Sequence, residues 1–467
     1  MTDSCLINKV VEGGYCVGCG ACAAKDGEGF SLRMTEDGSY SAVLPQADLS
    51  SVSGVCPFAS ALNEDDLSKS FIDAHEGGNH DAALGDYWAC YAGHVATDAF
   101  RQDGSSGGLG TWIACRLLDT GQIDAVIHVR PSERAEDGHP LYAYALSTSV
   151  EDIRKGAKSR YYPVAMADVL RRVKSDQRRY LFVGLPCFVK ALRLMQREDE
   201  DLRRRIPFAM GLVCGHLKTT QFTDYYAYAL GARPDDLLGI NFRHKIKGNA
   251  VNDYGVKLDL RDGKSATGEN RFIFGTNWGH GFFKYEACDY CDDVLAETAD
   301  ITIGDAWLPA YQKDWMGTNI LVVRNRTLLK LIDDAKAHGV LQLDAITASD
   351  AARSQESGLR HRRQGLAYRL RLKDAAGVWR PRKRVEAGED SAFTPRFKRV
   401  QKGRMLLAAK SKQWFLRVHG PASFRFFVFR MTLLVFYYEI LSRGFVKALA
   451  LLVPKRAKSL LKRALRK

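Results

Sequence analysis

The chain has 467 residues, of which 46% are hydrophobic and 26% charged, a composition that excludes a disordered or fibrous protein. This length exceeds what one hydrophobic core usually serves, so two or three domains are expected. The net charge of +14 is concentrated at the C-terminal end, because residues 396–467 hold nineteen Lys and Arg against one acidic residue, Glu439. The rest of the chain is mildly acidic, and its charge says little about a substrate.

The N-terminal residues carry neither the basic segment nor the apolar segment of a signal peptide, so the sequence predicts a cytoplasmic protein. No stretch reaches the roughly 18 uncharged apolar residues of a membrane-spanning helix. Cysteines separated by two residues, without a secretory segment, indicate a reducing compartment and a metal more than disulfides.

A first group of four cysteines dominates the predicted N-terminal module, residues 1–70. Three are spaced C-x2-C-x2-C and the fourth precedes Pro57, which is typical of ferredoxins that hold a 4Fe-4S cluster. Gly18 and Gly20 suit a backbone that turns tightly around such a cluster. A zinc knuckle or a chance spacing is the alternative. The predicted ligands are Cys16, Cys19, Cys22 and Cys56.

The next elements alternate in type. A short hairpin is predicted around residues 36–38 and a polar connector over 63–86, followed by a strand from Tyr87 to Thr97. A Gly/Ser-rich turn then leads into a helix over 109–118 and a buried strand over 123–129. These alternating elements favour an α/β domain.

Two segments could bind a phosphate. Backbone N–H groups and hydroxyls at the Gly/Ser turn could hold one at the start of a helix, although a plain turn with a serine N-cap explains the same residues. Just before Pro163, the cations Lys158 and Arg160 could clamp a pyrophosphate beside the rings of Tyr161 and Tyr162. A solvated basic loop is the alternative. The candidate residues are Ser105, Ser106, Gly107, Gly108, Lys158, Ser159, Arg160 and Tyr161.

A second group of four cysteines follows. Two of them come after predicted strands, 180–184 and 207–213, at the edge where open α/β sheets place their sites, and the other two form a C-x2-C pair. The four suit a second 4Fe-4S cluster, with a zinc site, a redox pair or buried structural cysteines as alternatives. The predicted ligands are Cys187, Cys214, Cys288 and Cys291. The remaining cysteines, Cys5, Cys90 and Cys115, are predicted to pack in the core.

No histidine is clearly selected as a proton donor. His216 is the weak candidate, because it follows a predicted cluster ligand, whereas His94, His128, His244 and His280 are expected to be structural.

The segment 346–467 is predicted to be a basic, helical tail. Its apolar stretch over 424–453 is repeatedly interrupted by charges, so one or two amphipathic helices at an anionic membrane surface are expected within 396–467. A partner-binding helix or a nucleic-acid arm is the alternative.

Taken together and in order, these motifs resemble the coenzyme F420 hydrogenase/dehydrogenase beta-subunit family over roughly residues 10–345. The similarity lies in both cysteine groups and in a series of short motifs. These are Gly104–Gly108, Lys158–Tyr161, Gly184-Leu185-Pro186-Cys187, Gly211–Cys214, Phe242–Lys245 and Gly304-Asp305-Ala306-Trp307.

The resemblance implies an oxidoreductase in which 4Fe-4S clusters and FAD relay electrons to or from the deazaflavin coenzyme F420 or a similar organic acceptor. The Gly/Ser turn and residues 158–161 would then contact FAD. A ferredoxin-fed reductase of a sugar or other metabolite, and a non-catalytic electron-transfer adaptor, are the alternatives.

The predicted fold class is α/β (α+β), with a ferredoxin-like module over 1–70 and a family N-terminal domain over 84–165. A C-terminal domain with the second cluster is expected over 166–345, followed by the tail over 346–467. Expected partners are ferredoxin or another dehydrogenase subunit, and the inner face of a membrane. No nucleic acid is expected, and a homo-oligomer remains open.

Overall fold

The computed structural model of the chain describes residues 6–26, 29–45, 49–132, 140–445 and 448. Its strands are β1 (Ser31–Met34), β2 (Tyr40–Val43), β3 (Asn79–Asp81), β4 (Gly85–Tyr87), β5 (Ala89–Val95), β6 (Ala125–Pro131), β7 (Tyr142–Ser147), β8 (Tyr180–Gly184), β9 (Phe208–Leu212), β10 (Leu237–His244), β11 (Gly255–Leu260), β12 (Ser265–Glu269), β13 (Ile301–Asp305), β14 (Asn319–Val323) and β15 (Leu341–Ala345).

Helices cover both faces of the main sheet and make up most of the C-terminal quarter. They are α1 (Leu6–Glu12), α2 (Ala21–Lys25), α3 (Ser50–Ser53), α4 (Glu64–Phe71), α5 (Phe100–Asp103), α6 (Leu109–Asp119), α7 (Val150–Lys155), α8 (Ala167–Lys174), α9 (Pro186–Glu198), α10 (Glu200–Arg205), α11 (Gln221–Ala229), α12 (Arg326–Ala337), α13 (Ala348–Ser354), α14 (Glu356–Arg362), α15 (Gln364–Ala375), α16 (Pro395–Phe415) and α17 (Pro421–Arg443).

One mixed sheet of eight strands organises the fold, in the order β15-β5-β14-β13-β9-β8-β6-β7. The four strands β13, β9, β8 and β6 run parallel, and antiparallel strands extend the sheet on both sides. The mixed α/β class predicted from the alternating pattern is therefore confirmed. Strands from the two predicted segments 84–165 and 166–345 hydrogen-bond within this same sheet.

The parallel strands explain how distant cysteines approach each other. β8 and β9 are neighbours, with Val183 opposite Met210, so the residues that follow their carboxyl ends lie at the same edge of the sheet. Cys187 follows β8 in the first turn of α9, and Cys214 follows β9. Their predicted position at strand ends is confirmed.

The N-terminal segment contains the predicted hairpin, in which β1 and β2 pair with Ser31 opposite Val43. The connector predicted over 63–86 was wrong, because the segment forms α4 and the β3–β4 hairpin. Asn63 caps α4: its side chain accepts the Asp66 N–H, and the Asp66 carboxylate accepts the Asn63 N–H. This capping box, followed by acidic residues in the first turn, is a helix-start signal in a polar segment.

The segment after residue 346 packs on the body of the protein. Trp379 contacts Tyr15, whose hydroxyl donates to the Trp379 carbonyl at 3.2 Å, and Lys383 Nζ lies 4.4 Å from the centre of the Phe58 ring. Helices α16 and α17 contribute Phe415 and other apolar side chains to a buried cluster. This segment therefore covers the N-terminal cysteine module as well as the central domain.

No helix within the described ranges combines the length and apolar character needed to cross a membrane. Residues 446–447 and 449–467 of the predicted basic, helical tail, and Cys5, lie outside the described residues.

Candidate cofactor sites

The four cysteines of the first predicted set are separated by up to forty positions in the sequence. They line one cavity, together with apolar neighbours such as Val10, Leu32 and Phe58. Gly18 has φ of 65°, and a Cβ there would lie 2.4 Å from Tyr40 Cβ. Glycine is therefore required where the loop passes β2. The structure brings together the predicted set Cys16, Cys19, Cys22 and Cys56.

Burial disfavours the charged thiolate form of the cysteines in this first set. Burial, followed by the neighbouring thiols, raises the pKa of Cys22 to about 12. Burial also raises the pKa of Cys56 to about 11 and that of Cys19 well above its ordinary value. Thiolates in such a cavity need a compensating positive charge, which a coordinated metal centre supplies.

The second set of cysteines lines a neighbouring cavity. Cys288 and Cys291 lie at a 3-10 turn and meet the two strand-end cysteines, and the Leu217 N–H donates to the Cys288 sulfur at 3.2 Å. Burial, followed by the adjacent thiol of Cys291, raises the pKa of Cys187 well above its ordinary value. The predicted set is again brought together: Cys187, Cys214, Cys288 and Cys291.

The two cavities adjoin, since Val17 and Phe58 line both. A pair of apolar side chains therefore separates the two sets of thiols. Cys19 is close enough to contribute to the raised pKa of Cys187. Two redox centres held here would be near neighbours, buried among apolar side chains.

Each of the two sets offers four thiols, the ligand number of a 4Fe-4S cluster and also of a four-cysteine zinc site. The ten described cysteines are all free. Within the described ranges, no three His, Cys, Asp or Glu side chains stand in the arrangement of a single-ion site. One zinc ion needs its ligands gathered on one centre, whereas the irons of a cubane cluster each take one thiolate.

Arg362, from α14, is a feature of the second set that the sequence did not indicate. Its side chain is buried, and its two terminal nitrogens lie 3.5 Å from Cys291 Sγ and 3.7 Å from Cys214 Sγ. The same nitrogens donate to the carbonyls of Asp293 and Gly215. A guanidinium is thus fixed against two of the four sulfurs.

The two predicted phosphate-binding segments meet at the carboxyl end of β5, which runs parallel to β13 and therefore ends at the same edge of the main sheet as β8 and β9. Ser105 Oγ accepts the Ser159 N–H at 2.8 Å, and Lys158 Nζ lies 3.4 Å from the Gly104 carbonyl. The Ser106 hydroxyl donates to the Thr318 carbonyl at 2.9 Å. The Ser105 O–H remains able to donate to a ligand, whereas that of Ser106 is committed to the protein.

Gly107 and Gly108 complete this turn. A Cβ on Gly107 would lie 2.6 Å from the Gly93 carbonyl oxygen, and Gly108 has φ of 80° at the start of α6. The glycines therefore let the turn pack against β5. Their role is at least partly steric, in addition to any contact with a ligand.

An excess of positive charge surrounds the turn. Arg243 pairs with Asp305 at 2.8 Å, yet its Nε and second terminal nitrogen are buried without a hydrogen-bond partner among the described residues, as is Arg160 Nε. Lys245 donates to the Ser106 carbonyl at 3.0 Å. Burial, followed by the cations Arg160 and Arg243, lowers the pKa of Lys158. Unpartnered buried donors that repel one another form a natural site for an anion.

Aromatic rings connect the second cysteine set to this basic cluster. The His216 ring lies 4.4 Å from that of Trp278, which lies 4.7 Å from Tyr161, the residue after Arg160. Phe242 packs on Tyr161 at 5.3 Å. Burial, followed by Lys218, lowers the pKa of His216 well below its ordinary value, which favours the neutral imidazole. Its catalytic role stays a prediction.

Comparison with known proteins places the chain in a family. Models of the coenzyme F420 hydrogenase/dehydrogenase beta subunit match residues 90–171 (N-terminal part) and 177–349 (C-terminal part), together more than half of the chain. The first cysteine set and Arg362 lie outside these ranges.

Individual relatives are distant. A coenzyme F420-dependent sulfite reductase of Methanocaldococcus jannaschii is 25% identical over 64% of this chain, which spans 43% of that protein's length. A subunit of the F(420)H(2) dehydrogenase of Methanosarcina mazei is 22% identical over 65% of this chain and 79% of its own.

A solved structure of the F420-reducing [NiFe] hydrogenase complex from Methanosarcina barkeri contains a similar chain, with 17% identity and a TM-score of 0.48. The similarity covers 63% of this chain and 96% of that one. The resemblance predicted from the motifs is confirmed by the family matches: the chain belongs to the coenzyme F420 hydrogenase/dehydrogenase beta-subunit family of oxidoreductase subunits.

Proposed function

We propose that this chain is an iron–sulfur flavoprotein oxidoreductase, relaying electrons between two 4Fe-4S clusters and FAD to or from coenzyme F420 or a similar organic acceptor. The observation that carries the proposal is the pair of adjoining four-cysteine cavities separated by Val17 and Phe58. When bound, the clusters carry single electrons and the flavin couples them to two-electron chemistry.

The residues have distinct tasks in this proposal. The eight cysteines hold the clusters, while the Leu217 N–H and the Arg362 guanidinium donate to sulfurs of the second set. Val17 and Phe58 keep water from the space between the cavities. The FAD pyrophosphate would lie at the Gly/Ser turn, where Arg243 and Arg160 have unused donors. Trp278 contacts both His216, which follows Cys214 by two residues, and Tyr161.

The partner follows by analogy with the relatives. The Methanosarcina mazei relative is named as a subunit of a dehydrogenase, and we extend this to a partner dehydrogenase subunit or a ferredoxin that exchanges electrons with the first cluster. The N-terminal module over 1–70 is then the entry point for electrons.

Purification under anaerobic conditions tests the proposal directly. The protein should contain about eight irons per chain and one FAD, with flavin absorption bands above a broad iron–sulfur shoulder. A colourless protein that carries zinc would contradict it. Reoxidation of the reduced protein by deazaflavin, nicotinamide or ferredoxin then identifies the acceptor; oxidation only by ferredoxin would favour the adaptor alternative.

Replacing Cys19 with serine should lower the iron content by about four atoms per chain, because one thiolate ligand of the first cluster is lost. FAD content should stay unchanged, since the Gly/Ser turn is a separate site. Iron analysis and flavin fluorescence measure the two quantities. Unchanged iron would remove Cys16, Cys19, Cys22 and Cys56 from the proposed relay.

FAD affinity should fall as the pH rises above about 7. Burial, followed by the cations Lys158, Arg101 and Arg243, lowers the pKa of Lys245 to about 7, and Asp305 only partly opposes them. A bound pyrophosphate would raise this pKa again, so above pH 7 binding must take up a proton. Below pH 7 the lysine is charged with or without ligand, and the affinity should level off.

Calorimetric titration of the flavin-free protein in buffers of different ionisation enthalpy measures this proton uptake. Lys245→Gln should bind FAD more weakly at pH 7 and lose the pH dependence. A dependence that persists in Lys245→Gln would assign the proton to another group.

A further inference from the structure

Helix α17 has two apolar faces, and within the described residues one of them packs on the rest of the protein while the other is exposed. Phe427, Met431, Val435 and Tyr438 are buried against the body. On the opposite side, four large side chains at intervals of three or four residues form one continuous stripe along the helix. These are Phe426, Phe429, Leu433 and Tyr437, between 54% and 61% exposed; we call them the outer stripe.

The buried face fixes the orientation of the helix. The Phe427 ring lies 5.2 Å from Phe415 and stacks on Phe283 at 6.1 Å. Further along, the buried Glu439 carboxylate pairs with His280 at 3.2 Å and with Arg443 at 2.9 Å. Turning the outer stripe inward would break both sets of contacts, so its exposure follows from the fold.

Positive charge accompanies the outer stripe. Arg425 and Arg443 are exposed on the same helix, and the Arg430 guanidinium lies 3.8 Å above the Trp414 ring and 5.8 Å from that of Phe426. The one acidic residue of the segment 396–467 is the buried, paired Glu439, against nineteen Lys and Arg. In the described part of the helix, this surface therefore combines exposed aromatic rings with the exposed guanidinium groups of Arg425 and Arg443, the second of which also pairs with Glu439.

We propose that α17 binds the surface of an anionic membrane, with the outer stripe in the headgroup and upper acyl region and the flanking arginines on lipid phosphates. Amphipathic helices with aromatic and basic residues insert in this way to about 5–10 Å without spanning the bilayer. Two copies that met through this helix would bring Arg425, Arg430 and Arg443 of each copy close together, which disfavours self-association there.

The test uses the full-length protein and vesicle sedimentation. Wild type should bind vesicles of equimolar phosphatidylcholine and phosphatidylserine, and hardly bind phosphatidylcholine alone. The double variant Phe429→Ser, Leu433→Ser should lower the partition coefficient about tenfold or more, because two inserted apolar side chains are lost. Val378→Ser is the matched control, since Val378 is 49% exposed but lies outside the helix; it should bind like wild type.

Iron and FAD contents, measured on the same samples, separate this proposal from the proposed redox function. Unchanged contents with lost binding support the docking face. Absence of wild-type binding to anionic vesicles overturns the proposal. The proposal is also overturned if the double variant binds as well as the wild type, or if the wild type binds phosphatidylcholine vesicles as well as anionic ones. A wild-type dimer that the double variant abolishes, without vesicle binding, would show that a second copy covers the stripe.

Discussion

Cys288→Ser should remove one cluster, about four iron atoms per chain, and leave the first cluster and FAD in place. Cys288 is buried, its sulfur accepts the Leu217 N–H, and it faces three other thiols of the second set. A serine hydroxyl is a poor iron ligand, and the remaining three thiols cannot complete the site. The loss should appear as one missing signal in the electron paramagnetic resonance spectrum of the reduced protein.

Cys115→Ser is the matched control for this experiment. Cys115 is also buried, but it lies in α6 in a hydrophobic cluster with Leu181 and Met210 that contains none of the cysteines of the two sets. This variant should lose some stability and keep all of its iron. Full iron in Cys288→Ser, or equal losses in both variants, would return Cys288 to a structural role.

The residues that could be located from the sequence all lie in short, recognisable motifs. Cysteine spacing identified both sets, and strand ends placed Cys187 and Cys214 at one sheet edge. The resemblance also implied that the Gly/Ser turn and residues 158–161 both contact FAD, and the structure places Ser105 beside Ser159. In each case a short motif indicates the chemistry, and residues far away in the sequence are not needed to interpret it.

Long-range packing explains what sequence reasoning missed. Arg362 lies in a segment where arginine is frequent, and nothing local distinguishes it from Arg360 or Arg363. Its role depends on α14 crossing the second cysteine set, a contact spanning 148 residues to Cys214. The division of α17 into a buried and an exposed face likewise depends on Phe283 and Phe415. Periodicity alone shows that such a helix is apolar, but not which side the body covers.

Arg362→Met should lower the reduction potential of the second cluster, by on the order of 100 mV. A reduced cluster carries more negative charge than an oxidised one, so a buried guanidinium near Cys214 and Cys291 favours the reduced form. Its N–H groups directed at the two sulfurs act in the same direction. Arg362→Lys keeps the positive charge but loses the two-pronged geometry of the guanidinium. The reduction potential of its second cluster should therefore lie between that of the wild type and that of Arg362→Met.

Redox titration followed by electron paramagnetic resonance measures this potential, and iron analysis shows that the cluster is still present. Arg324→Met is the matched control: Arg324 is equally buried, but it donates to the Leu84 carbonyl and the Thr302 hydroxyl. Removing either arginine should lower the melting temperature, because each leaves buried carbonyls without a donor. Only Arg362→Met should shift the potential. An unchanged potential at full iron content would make Arg362 a purely structural residue. A shift would show that α14, which lies beyond the residues matched by the family models, tunes the reduction potential of the second cluster.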